Sequence, residues 1–148
     1  MLSWLGKRLV DYQLARLSAG DPRLTLWMDA PDVRMTFPGD SSWAVDLHGK
    51  AEHERWLRRF IRAGIQISAD EVILKGFPWR MTLCVRGRDH LRSDTGELVY
   101  ENRYVIWGRL RWFKLKRYEV YEDTQKTVVF DRWLSDNQHA AAGAFADA

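Results

Sequence analysis

The sequence predicts an α+β domain in which three helices of the N-terminal half pack on a strongly curved antiparallel sheet. Up to residue 63 three segments carry apolar side chains at helical spacing and are closed by glycine or proline, with short strands between the second and the third. From residue 65 to 123 the period changes to two, in four long β-rich segments joined by short turns. Sequential strands with short connections pair antiparallel, and helices that precede the strands instead of alternating with them exclude a parallel βαβ arrangement. The 148 residues suffice for one domain with a sizeable core. That domain is read as residues 1–136, with 137–148 as a flexible tail.

Leu2, Leu5, Leu9 and Tyr12, widened by Val10, Leu14 and Leu17, form an amphipathic stripe over 2–18, and Gly20 stops it. Asp21-Pro22 starts a short second helix that runs to about Met28, since Asp accepts free backbone N–H groups and proline loses nothing in the first turn. Pro31 breaks helix. A short strand then places Val33, Met35 and Phe37 on one face, Pro38-Gly39 turns the chain, and a brief strand reaches His48. Residues 50–63 are helical, with Trp56, Leu57, Phe60 and Ile61 on one side and Gly64 as the C-cap. Four strands follow at "IQISADEVILKG", "MTLCVRGRDHL", "LVYENRYVIWGRL" and "FKLKRYEVYED", and "TQKTVVFDRWLSDNQ" reads as a last helix.

Twenty-three Lys and Arg against 20 Asp and Glu describe a mildly basic chain of mixed sign, which does not by itself imply nucleic acid. A single cysteine, Cys84, excludes an internal disulfide framework. No run approaches the roughly 20 apolar residues that span a bilayer. The expected location is cytoplasmic, with no membrane among the partners.

The ordered pieces "SAGD", "DVRMTFPGDS", "LHGKAEHERWLRRF", "ENRYVIW" and "YEVYEDTQK" resemble the SnoaL-like branch of the nuclear transport factor 2 superfamily, related to ketosteroid isomerases. The resemblance covers roughly residues 4 to 130. It implies a cone-shaped α+β barrel with a deep apolar pocket, used on steroid- or polyketide-like ligands, and a homodimer formed through the sheet. It does not imply an activity. The general-base Asp of the isomerases falls on Phe37, their oxyanion Tyr on Gln13 beside Tyr12, and their mid-sheet Asp near Tyr104 to Ile106. Ketosteroid isomerisation is therefore disfavoured. SnoaL-type cyclases carry an Asp on the last strand, and Asp123 lies within a residue of it.

Acid/base chemistry needs a carboxyl in an apolar pocket or a histidine at its rim. Asp123 and His48 are the candidate bases and Tyr12 the candidate polariser of a ligand oxygen. Each has a plain structural alternative: a cap for the last helix, a helix-start histidine, a core tyrosine. Glu119, Tyr121 and Asp123 share one face of the last strand; Tyr118, Val120 and Glu122 share the other. Trp27, Phe37, Trp43, Trp56, Phe60, Trp79 and Tyr104, with Glu119 and Tyr121, are the expected ligand-binding set. Eight Trp in one small domain suit an aromatic pocket wall. His53 and His90 read as surface residues, no histidine pair has metal-ligand spacing, and no metal or cofactor is expected. "RLRWFKLKR" is a basic-aromatic hairpin tip, for which nucleic-acid binding is not the expected use. Two readings stay open: a small-molecule enzyme doing isomerisation, cyclisation or dehydration, and a non-catalytic ligand-binding or dimerisation module.

Overall fold

Helix α1 (Leu2–Ser18) buries Val10, Leu14 and Leu17 at spacings of four and three, while Trp4, Leu5, Leu9 and Tyr12 lie exposed on its other side. The computed structural model describes residues 2–143. Gly20 takes a left-handed φ of 88°, and the Asp21 carboxylate accepts the Arg23 backbone N–H at 3.0 Å as α2 (Arg23–Met28) begins. Strands β1 (Asp29–Phe37) and β2 (Val45–His48) follow, then α3 (Lys50–Ala63), closed by Gly64 in the left-handed conformation.

The strands β3 (Gln66–Phe77), β4 (Arg80–Arg92), β5 (Leu98–Arg111) and β6 (Lys114–Glu122) form the predicted meander, and α4 (Thr124–Asp136) closes the fold. The sheet order is β2-β1-β6-β5-β4-β3. Four joints are antiparallel. The fifth, β1 beside β6, is parallel, so the sheet is mixed; the chain between those two strands makes the long return that parallel neighbours require. The helices α1 to α3 lie against the inner face, as predicted for this fold class.

Alternation then decides which side chains meet the helices. On β4 the inward set includes Met81, Val85, Asp89 and Leu91, on β5 Asn102, Tyr104 and Leu110, and on β6 Tyr118 and Val120, all buried. Gly87 makes room within this face. A Cβ there would stand 2.0 Å from the Ser68 carbonyl oxygen and 2.5 Å from the Tyr104 hydroxyl, which donates to that carbonyl at 2.9 Å.

The C-terminal segment turns back after α4. Ala141 is buried, and its carbonyl accepts from Nε of Arg59 at 2.9 Å. Of the segment read as a tail, residues 137–143 therefore lie folded against the domain, held by a buried guanidinium on α3; residues 144–148 lie outside the described residues.

Candidate functional site: an aromatic cavity with a buried carboxyl pair

Between the inner sheet face and the helices lies a cavity of about 140 Å³. Its walls are mostly aromatic and aliphatic. Phe37, Trp43, Trp56, Phe60 and Tyr104 of the expected ligand-binding set line it. The spacing of α3 explains part of this: Trp56 and Phe60 stack at 5.7 Å, Trp43 meets Trp56 edge-on at 6.0 Å, and Phe130 of α4 stacks on Trp43 and Tyr100. The indole N–H of Trp43 is buried without a hydrogen-bond partner in the described structure.

Two polar networks face this apolar space. In the first, Asp89 of β4 and Glu122 of β6 hydrogen-bond to each other. Burial, then the charge of Glu122, pushes the Asp89 carboxyl up to about 8, and burial also raises Glu122. Glu122 Oε1 accepts from the Tyr100 hydroxyl and the Thr127 hydroxyl, both at 3.1 Å. Asn102 supports the arrangement by donating to the Tyr100 oxygen at 3.0 Å. These donors favour charge on Glu122, so Asp89 carries the proton of the pair. Oδ1 of Asp89 is buried with no hydrogen-bond partner.

The second network is Asp29–His53–Tyr118. Nδ1 of His53 lies 2.6 Å from Asp29 Oδ2, and Nε2 lies 2.5 Å from the Tyr118 hydroxyl. Burial first, then the Asp29 charge, raises Tyr118 well above the ordinary phenol range, so it stays protonated and donates to Nε2 while Nδ1–H donates to Asp29. His53 and Tyr118 line the cavity and Asp29 stands behind them.

The residues named from sequence as catalytic lie elsewhere. Asp123 caps α4, its Oδ1 accepting from the Gln125 and Lys126 backbone N–H groups at 3.1 and 3.4 Å. His48 is exposed, with Nε2 at 3.4 Å from Asp46. Tyr12 is exposed on α1, where Arg16 donates to its hydroxyl at 2.9 Å. Trp27 and Trp79 are exposed, and Glu119 and Tyr121 share the outer face of β6, where the Tyr121 hydroxyl bonds Glu119.

His53 is a correction. It is buried, not at the surface, because it stands three residues before Trp56 and seven before Phe60, on the same inward stripe of α3. That spacing was visible in the sequence. Glu122 was visible as a partner of Tyr118 and Val120 on one face. Asp89 was visible only through strand alternation, four residues after Val85 and two before Leu91 on the apolar face of β4.

No known protein-family profile matches the chain, and no curated protein matches it. Solved structures do. An NTF2-like protein of unknown function from Burkholderia pseudomallei superimposes with a TM-score of 0.66 at 21% identity, over 82% of this chain and 92% of that one. PrhC from Penicillium brasilianum gives 0.72 at 12% identity over 95% and 93%. TerC, co-crystallised with polyporic acid, gives 0.66 at 19% identity over 82% and 95%. Six curved strands with helices on the inner face, a cavity between them and these superpositions identify the fold of this chain as the NTF2-like, SnoaL-like cone.

Proposed function

We propose that the protein takes a small hydrophobic carbonyl compound into this cavity and acts on it as an acid/base isomerase, cyclase or dehydratase. The observation that carries the reading is a pair of buried neighbouring carboxyl groups, only one of them held by hydroxyl donors, facing an otherwise apolar, aromatic space. When a ligand carbonyl oxygen enters, the Asp89 O–H turns from Glu122 to that oxygen as negative charge develops there, and Glu122, released from this hydrogen bond, is the base for a proton on the neighbouring carbon. Tyr118, its proton held by His53 with Asp29 behind, offers its hydroxyl oxygen as an acceptor within the same walls. In this reading Asp123, His48 and Tyr12 serve the scaffold and not the ligand.

Volume limits the substrate. About 140 Å³ is close to the size of cavity that holds a benzene ring, so a compact monocyclic compound fits directly. A steroid- or polyketide-like ligand of several rings requires the aromatic side chains to move outward. A non-catalytic binding or dimerisation module is the second reading. It is favoured by how fully Glu122 is satisfied within the protein, and by exposed Ile73, Val105, Trp107 and Tyr121 on the outer sheet face as a homodimer surface.

The test is a thermal-shift and turnover screen of cyclic ketones, enones and lactones. Turnover that falls about a hundredfold or more in Glu122→Gln, with binding retained, supports the enzyme. Binding without turnover selects the module. Failure of every cavity-sized apolar compound to bind removes both.

A further inference from the structure

The β3–β4 and β5–β6 hairpin tips sit side by side at one end of the molecule. Phe77 stacks on Trp79 at 5.0 Å, Trp79 meets Trp112 at 6.3 Å, and the Trp112 N–H donates to the Pro78 carbonyl at 2.6 Å. Trp27 joins them, its ring under the Lys114 ammonium at 3.9 Å. Trp4 lies at the same end, because Gly6 of α1 packs on Leu74, three residues before Phe77. With Phe113 these six aromatic residues are 55–66% exposed, where apolar area of this size is unusual on a water-facing surface.

Backbone geometry adds a second observation. The β5–β6 turn residues Trp112 and Phe113 have φ of 52° and 63°. A two-residue turn of this hand is the place for Asn-Gly, and bulky side chains occupy it only at a cost. Strained backbone here holds two large aromatic rings out into solvent.

Charge adds a third. Segments 73–83 and 107–118 contain seven of the 23 Lys and Arg and none of the 20 Asp and Glu, so the rest of the chain is net acidic. Lys116 and Arg117 pair with Asp32 and Glu119. Lys75, Arg80 and Arg111 have no carboxylate partner among the described residues.

We infer that this end docks on the headgroup region of an anionic membrane, with the aromatic tips in the interface and the cations on lipid phosphates. Tryptophan side chains suit that depth because an apolar ring carries a polar N–H, and each nearby Lys or Arg adds attraction to anionic lipid. The rings protrude from hairpin tips, and Phe77 and Trp79 cover one another, which leaves poor platforms for stacking bases. Docking is at the surface: among the described residues no helix is long and apolar enough to cross a membrane. Met28, Leu83, Leu110 and Leu115, just behind the tips, line the near end of the cavity, so an apolar compound dissolved in the bilayer meets it directly.

Co-sedimentation of the full chain with phosphatidylcholine vesicles, with and without phosphatidylglycerol, tests this. The expected result is binding to the anionic vesicles, weakened by salt, with a blue shift of tryptophan emission. Trp112→Asn combined with Phe113→Gly gives the turn its preferred residues, keeps the fold, and should weaken binding roughly tenfold, as should Arg80→Glu with Arg111→Glu. No binding to anionic vesicles at low salt overturns the inference. So does binding unchanged in both double variants, or a preference for single-stranded oligonucleotide over vesicles. The inference stands apart from the cavity chemistry, since the tip variants leave the cavity lining intact.

Discussion

Asp89 of β4 and Glu122 of β6 face each other across β5, and burial keeps a proton on Asp89 at a pH where an aspartate in the unfolded chain has lost it. Between about pH 4 and the folded value of about 8, the folded state binds more protons than the unfolded state. Stability should therefore fall as pH rises through this window, by up to about 1.4 kcal/mol per unit, and level off above it. The raised Glu122 acts in the same direction. Urea midpoints across this range are the measurement: Asp89→Asn should flatten most of the slope, and an unchanged slope would place the titration elsewhere. Few of these roles were legible residue by residue. The acids of "YEDT" are adjacent in sequence, yet Glu122 enters the cavity and Asp123 caps a helix, because strand alternation sends them apart and α4 begins at once.

Among the elements, the β3–β4–β5 ladder depends on Gly87. Tyr104 lies across it to reach the Ser68 carbonyl, and a methyl group would collide with both partners. Gly87→Ala should cost roughly 3 kcal/mol, from overpacking and the displaced hydroxyl. Thermal unfolding checks it; a loss below 0.5 kcal/mol, the range of neutral surface substitutions, would show that the strand shifts freely. Elements themselves were readable: α1, α3 and the four long strands follow from periods of 3.6 and 2 with glycine stops. The Trp112-Phe113 turn was readable as a hairpin tip but not as a left-handed one, since its residues contradict the turn they occupy.

At the scale of the whole molecule, Arg59 ties segments distant in sequence. It donates to the Ser42 carbonyl at 2.9 Å, to Ser42 Oγ at 2.6 Å and to the Ala141 carbonyl, lies 3.7 Å from Asp131, and stacks over Trp43 at 3.9 Å. Arg59→Ala removes the counter-charge of Asp131 and three buried donors, so a loss of about 3–5 kcal/mol is expected. Limited proteolysis near residue 141 should quicken in the same variant; unchanged cleavage would mean that the C-terminal segment is held by other contacts.

By itself the sequence determined the fold class, the order of the elements and an aromatic interior, because periodicity, stop residues and tryptophan content are local properties of the chain. Tertiary structure alone decided which carboxyls share a proton, that His53 is buried between Asp29 and Tyr118, and that four aromatic tip residues gather with Trp4 and Trp27 at one end. Those outcomes depend on strand register and sheet curvature, which bring together groups tens of residues apart, and pairwise proximity of that kind leaves no periodic trace in one sequence.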